Sequence, residues 1–178
     1  QLSLVGGGAF TTPFMADNIG GFAGSTTYGP RLYFNGSSPA LVPGTSSTNP
    51  STVLTGYFNN MGVPGAKCIH LEFSGYGSSA GNPYFARFAS NPMKTVVEDA
   101  VAQNPTFFSL WIGGNDVLGY ATSGGVSSNP ITPTATFNGA YNSIITKLIA
   151  GGRKGVIANL PYVNSLPFFT TVPTNPIP

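Results

Sequence analysis

Two short stretches of the chain place glycines close to asparagine side chains, and one of them also contains a carboxylate. Gly113-Gly114-Asn115-Asp116 follows the apolar run 106–112, and Gly62-Val63-Pro64-Gly65 follows residues 57–61. A backbone N–H at a glycine turn and a side-chain amide are both neutral hydrogen-bond donors. Two such donors held about 3 Å from one point stabilise a developing oxyanion. The residue types of Gly65 and Asn115 therefore fit acyl transfer, although residues 113–116 taken alone are explained equally well as a polar turn.

The sequence predicts three short strands, two of which end at these glycine-containing stretches. A short strand is predicted from Tyr57, and Thr106 to Ile112 predicts a strand covered on both faces of a sheet. Residues 155–161, GVIANLP, predict a third short strand. The aromatic residues of the second strand are then most simply core residues: Phe107, Phe108 and Trp111.

Helix patterns separate the predicted strands. The first helix is predicted from Asn91, its cap, through Pro92 to Asn104-Pro105, with one apolar face formed by Met93, Val96, Val97, Ala100 and Val101. A second helix ends at Gly151-Gly152, and its apolar positions are Phe137, Tyr141, Ile144, Ile145, Leu148 and Ile149.

The order strand, helix, strand, helix, strand predicts an α/β fold with a parallel sheet. In such sheets a ligand binds beyond the carboxyl ends of the strands. Gly62–Gly65, Gly113–Asp116 and Asn159–Pro161 are therefore expected to share one rim. Residues 1–55 predict long loops and residues 56–173 the core of one domain that spans residues 1–178.

The composition argues against a nucleic-acid partner, an internal disulfide and a metal site. The chain of 178 residues is 41% hydrophobic but only 7% charged, with a formal net charge of +2 and no run of Lys or Arg. We therefore expect no nucleic-acid partner, because nothing could neutralise a line of phosphates. One cysteine, Cys68, excludes an internal disulfide, and with a single histidine, His70, it argues against a metal site. Cys68 is interpreted as a buried apolar residue and His70 as a structural one.

The stretches together resemble two sequence blocks of the SGNH (GDSL-type) hydrolases. Residues 113–116 resemble the Gly-x-Asn-Asp block, and Asn60 to Gly65 resembles the block in which a strand ends in Asn and a turn glycine. The phrases NNMGVPGAK, NPYFARFAS, NPTFFSLWIGGNDVLGYA and GVIANLPYVNSLPFFTTVP make the chain most similar to envelope-associated GDSL-like lipase/acylhydrolases of Bacteroidetes-type bacteria. The resemblance covers most of residues 57–173.

This resemblance implies a three-layer α/β/α, flavodoxin-like fold with a parallel sheet, incomplete in this chain, and the chemistry of a serine esterase or lipase. Gly65 and Asn115 would be the oxyanion-hole donors and Asp116 a supporting residue. The implied substrate is an ester of a lipid or an acylated glycan, and the implied location is secreted or at the cell envelope or outer-membrane surface of a Gram-negative bacterium. The serine mechanism needs no cofactor.

The chain departs from the family at both ends of the catalytic machinery. It contains no Gly-Asp-Ser-Leu-like block, no Asp after Asp116 and no His after His70. We therefore expect it to be the middle segment of a longer esterase, inactive alone, whose nucleophile and base come from the remainder of the same protein, possibly as a separate chain. The alternative is a non-catalytic SGNH-like binding or structural module of a cell-envelope assembly.

Three aromatic residues follow the last predicted strand. They are expected either to line the substrate pocket or to pack on the sheet: Tyr162, Phe168 and Phe169.

Overall fold

The structure is a computed structural model that describes residues 8–78, 80–126 and 128–170. These residues form two compact units. The first unit comprises the described residues of Gln1–Val63 and Ser74–Lys94, and the second those of Pro64–Phe73 and Thr95–Pro178. The prediction of a single domain over residues 1–178 stays a prediction.

The first unit contains an antiparallel hairpin that the sequence pattern does not predict. Strands β1 (Leu32–Phe34) and β2 (Pro39–Leu41) pair with Leu32 opposite Leu41. The turn is closed by the side chain of Asn35, whose Oδ1 accepts hydrogen bonds from the backbone N–H groups of Ser37 and Ser38. The pattern misses these strands because their three-residue segments carry no alternation of polar and apolar residues.

Aromatic residues form the core of the first unit. Helix α1 (Pro83–Ala86) begins at Asn82, whose side chain accepts a hydrogen bond from the N–H of Tyr84. It buries Phe85, whose ring contacts that of Phe88 edge-on at 5.3 Å between centroids. The residue that follows the helix, Arg87, is also buried.

The predicted strand that begins at Tyr57 is absent, which corrects the sequence interpretation. Asparagine side chains here accept hydrogen bonds from backbone N–H groups. Oδ1 of Asn59 accepts a hydrogen bond from the N–H of Thr11, and Oδ1 of Asn60 accepts one from the N–H of Gly62. The bond between Asn60 and Gly62 is a local one of the kind that competes with a sheet ladder, whereas Asn59 bonds to a residue 48 positions away.

The second unit begins its first long helix later than predicted. Helix α2 is Val96–Ala102, and its N-cap is Thr95 rather than Asn91. Oγ1 of Thr95 accepts from the N–H of Glu98, and the Glu98 carboxylate accepts from the N–H of Thr95. This capping box satisfies two terminal N–H groups reciprocally. The side chain of Asn91 instead accepts one hydrogen bond, from the N–H of Met93, and Met93 is exposed rather than on a buried helix face.

Two strands of the second unit confirm the parallel pairing. Strand β3 (Phe107–Leu110) pairs in parallel with β4 (Lys154–Ile157), with Phe107 opposite Lys154. Helices and a small parallel sheet therefore make the fold roughly α/β, as predicted, while the three-layer arrangement stays a prediction.

The expectation that this strand is covered on both faces is wrong within the described residues. Phe107 is exposed, and the Trp111 side chain keeps 70% of its surface accessible. Their assignment to the core is therefore wrong. In this part of the chain the face of β3 with Phe107 and Ser109 is exposed, and only the opposite face, with Phe108 and Leu110, is covered. Of the three core candidates, Phe108 is half-buried.

The second predicted helix is confirmed as α4 (Thr134–Ile149). Ile144 and Leu148 are buried, as their spacing predicts. A 3-10 turn (Ala150–Gly152) follows, in which Gly151 adopts a left-handed φ of 74°. That conformation ends a helix at low cost only when the residue is glycine.

Candidate functional site

The stretch 113–116 begins a helix rather than forming an irregular loop at a strand tip. Three residues separate β3 from helix α3 (Gly114–Thr122), and the last of them, Gly113, has a φ of 120°. The backbone conformation requires glycine, whereas the closest contact of a Cβ on Gly113 would be with the end of the Leu160 side chain, at 2.8 Å from Cδ1. Glycine and Asn favour this helix poorly, which explains why the sequence pattern does not predict it.

The first turn of α3 is tied to the loop that contains Gly65. Nδ2 of Asn115 donates a 3.0 Å hydrogen bond to the carbonyl oxygen of Ala66. The N–H of Cys68 donates a 2.8 Å hydrogen bond to Oδ2 of Asp116. The two stretches that the sequence singled out are therefore brought together, through backbone partners that carry no residue-type signal.

Gly65 leaves its backbone donor available. The residue is exposed and adopts a left-handed φ of 75°. Among the described residues its N–H has no acceptor, and a Cβ would meet no atom within 4 Å. Glycine is therefore needed there for the backbone conformation rather than for space.

The side-chain amide of Asn115 also has one N–H without an acceptor among the described residues. Its amide nitrogen carries two hydrogens, and the described residues offer an acceptor to only one of them, the carbonyl of Ala66. The side chain is half-buried. The bond to Ala66 orients the amide, so that its second N–H is held in place without being used.

Asp116 has the burial expected of a supporting residue. It is 3% exposed, and its Oδ2 fixes the start of the 3-10 helix Cys68–Glu72 through the N–H of Cys68. Its other oxygen, Oδ1, is enclosed without a hydrogen-bond partner in the described part of the chain. Asp116 thus positions the backbone beside the loop, while Asn115 and Gly65 carry the unused donors.

Cys68 is a buried thiol with no nucleophilic character. Burial, with the nearby carboxylates of Asp116 and Glu72, raises its pKa to about 12. A thiol of this kind stays protonated near neutral pH, and the thiolate is the nucleophilic form. The interpretation of Cys68 as a small buried apolar residue is consistent with this environment.

His70 takes part in the backbone of its own helix. Its Nδ1 accepts a hydrogen bond of 3.1 Å from the N–H of Lys67, which begins the 3-10 helix. Burial and the charge of Lys67 lower the pKa of His70, although Asp116 opposes the shift. The structural interpretation of His70 agrees with this bond.

The three candidate substrate-lining residues follow β4. Tyr162 is 84% exposed, so packing on the sheet does not account for it, and its carbonyl accepts a bond from the N–H of Ser165. Phe169 is half-buried in helix α5 (Pro167–Thr170), and the side chain of Phe168 lies outside what the structure describes. A role for these residues in lining a pocket stays a prediction.

Comparison with protein-family models, curated proteins and solved structures gave no match. In the described ranges, no group of three or more His, Cys, Asp or Glu residues is placed to hold a metal ion. Nor does any described helix combine the length and apolar character needed to span a bilayer.

Proposed function

We propose that this chain provides the oxyanion-binding part of a serine acylhydrolase of the SGNH type. The observation that supports the proposal is the pair of hydrogen bonds, Asn115 to Ala66 and Cys68 to Asp116, that joins the two donor-bearing stretches. Gly65 and Asn115 each retain an N–H without an acceptor in the described residues. The proposed substrate is an ester of a lipid or of an acylated glycan.

The proposed chemistry is stabilisation of a tetrahedral intermediate. A serine hydroxyl transfers its proton to the base as it attacks the ester carbonyl, whose oxygen becomes negatively charged in the tetrahedral intermediate. When the intermediate collapses to the acyl-enzyme, the alcohol leaves with the proton that the base returns. The N–H of Gly65 and Nδ2 of Asn115 donate to that oxygen, and the positive end of helix α3 adds a favourable field. Asp116 contributes by holding Cys68 and its loop, not by touching the substrate.

The nucleophile and the base are proposed to come from polypeptide beyond this sequence. No Gly-Asp-Ser-Leu-like block and no Asp-x-x-His block occur in residues 1–178. One exposed face of β3, the exposed residues of β4 and the unpaired outer edges of both strands support this proposal, because parallel sheets are normally covered on both faces. The finer three-layer α/β/α fold and a secreted or envelope location belong to the same proposal.

The absence of those two blocks also favours a second candidate function. An SGNH-like module that binds or supports other envelope components would keep the loop and helix geometry without needing a nucleophile. The two candidates differ in whether the donors act on a reacting carbonyl, which only a kinetic experiment can show.

The decisive experiment compares the rate of p-nitrophenyl acetate hydrolysis by two proteins. One is this chain alone, and the other is a longer polypeptide that also contains a Gly-Asp-Ser-Leu-like block before it and an Asp-x-x-His block after it. The chain alone is expected to be inactive, and the longer polypeptide active. In the active form, Asn115→Ala is expected to lower kcat by about 100-fold or more with little change in KM. An active protein unaffected by Asn115→Ala would refute the donor role, and an inactive longer protein would favour the binding module.

A further inference from the structure

Arg87 is a buried cation without a counter-ion in the first unit. The residue is 4% exposed. Its Nη2 donates to the carbonyl oxygen of Phe14 at 3.0 Å, and its Nη1 contacts Sδ of Met15 at 3.2 Å. Nε is enclosed and has no acceptor among the described residues. A guanidinium presents five N–H donors, and burying its charge unpaired is costly.

The first unit contains one acidic side chain, and that side chain is already engaged. Of the five Asp and Glu residues in the sequence, four belong to the second unit: Glu72, Glu98, Asp99 and Asp116. Asp17 accepts hydrogen bonds from the hydroxyl and N–H of Ser47 and from the N–H of Ile19. These bonds, that of the Ser47 hydroxyl first, lower its pKa to about 2. The Asp17 carboxylate thus accepts hydrogen bonds from neutral donors and forms no ion pair with Arg87 in the described residues.

The two terminal nitrogens of the guanidinium contact an exposed residue and a weak acceptor. Phe14, whose carbonyl accepts from Nη2, is 75% exposed, and Met15 is half-buried. A thioether sulfur is a weak acceptor on a flexible side chain. An anion that replaces the Met15 sulfur therefore exchanges a weak acceptor for a strong, charged one.

We propose that Arg87 is the centre of an anion-binding site that takes a small carboxylate of the size of acetate. The carboxylate binds in bidentate fashion, through Nε–H and a terminal N–H, in the geometry that guanidinium and carboxylate share. A monoanion neutralises the single buried charge, whereas a phosphate dianion would leave an excess. The site belongs to the first unit and is independent of the proposed esterase function.

The test is thermal unfolding of the full chain in sodium acetate and in sodium chloride at equal ionic strength. We expect acetate at about a hundredfold above its Kd to raise Tm by about 5–10 °C. Arg87→Met is expected to abolish the difference. Arg31→Met is the matched control, because Arg31 also donates to a backbone carbonyl, that of Asn18, but is exposed.

A second measurement decides the case if Arg87→Met does not fold. The chain has three arginines, so the Nε–H signals in a nitrogen-15 NMR spectrum are few and can be assigned. Acetate is expected to shift the Arg87 signal and leave those of Arg31 and Arg153 in place, and Met15→Ala should strengthen the response. Equal Tm values in the two salts with an unmoved Arg87 signal would overturn the proposal, as would a response to chloride or phosphate as large as that to acetate.

Discussion

Nδ2 of Asn115 donates a 3.0 Å hydrogen bond to the carbonyl oxygen of Ala66, 49 residues earlier in the chain. Ala66 is buried, so this bond both satisfies an enclosed carbonyl and orients the amide. The neighbouring residue, Gly65, carries the other candidate donor. One side chain thus links the two stretches on which the proposed chemistry depends.

Removing that side chain is expected to destabilise the second unit. Asn115→Ala leaves the Ala66 carbonyl buried without its donor, and we expect the free energy of unfolding to fall by about 1–3 kcal/mol. Urea unfolding measures the change. Asn138→Ala, at an exposed position of α4, is the control and should stay within about 0.5 kcal/mol of the wild type. Equal stability of the two variants would contradict the assigned bond.

Substitution of Gly65 is expected to lower the free energy of unfolding, because the residue has a left-handed backbone conformation. Gly65→Ala places a Cβ on a residue with a φ of 75°, and we expect a loss of about 1–2 kcal/mol. Gly114→Ala is the matched control, since it adds a Cβ in equally open space but at an ordinary helical position. That control should be neutral or slightly stabilising, because Ala favours helix. Denaturant unfolding distinguishes the two, and a harmless Gly65→Ala would argue against the turn.

Cys68 is expected to be almost inert in the native protein. Its pKa of about 12, against 9.0 for the free thiol, lowers the thiolate population roughly a thousandfold near neutral pH, and burial blocks access as well. Because the chain has one cysteine, reaction with a chromogenic disulfide reports Cys68 alone. The reaction should be slow in buffer and fast in concentrated guanidinium. Comparable rates in both would show that the thiol is not enclosed.

His70 is expected to make stability depend on pH. Its pKa is lowered from 6.5 on folding, mainly by burial, so the unfolded chain binds a proton more readily than the native one. The free energy of unfolding is therefore complete above about pH 7 and falls as the pH decreases through 6.5 toward the lower native pKa. Urea midpoints at about pH 7.5 and pH 5.5 measure the loss. His70→Gln should flatten this dependence, and an unchanged slope in the variant would assign it elsewhere.

Local patterns predicted α4 and the strands β3 and β4 well, but they misplaced the start of α2. The difference lies in competing signals: Asn91-Pro92 is a good helix start by residue type, but the capping box of Thr95 and Glu98 satisfies more terminal N–H groups. At Tyr57 an apolar beginning suggested a strand, but the side chains of Asn59 and Asn60 accept hydrogen bonds from the backbone of Thr11 and Gly62 instead. Both outcomes depend on hydrogen-bond geometry that periodicity does not contain.

The sequence by itself determined the residue types of the candidate site, the parallel order of β3 and β4 and the helical period of α4. Tertiary structure alone decided that Asn115 and Asp116 bond to the backbone of Ala66 and Cys68, because every residue offers the same backbone groups and only folding selects a partner. It also decided that Trp111 is exposed and Arg87 buried, the reverse of what their residue types suggest. Burial depends on what packs nearby in space, which residue type alone does not encode.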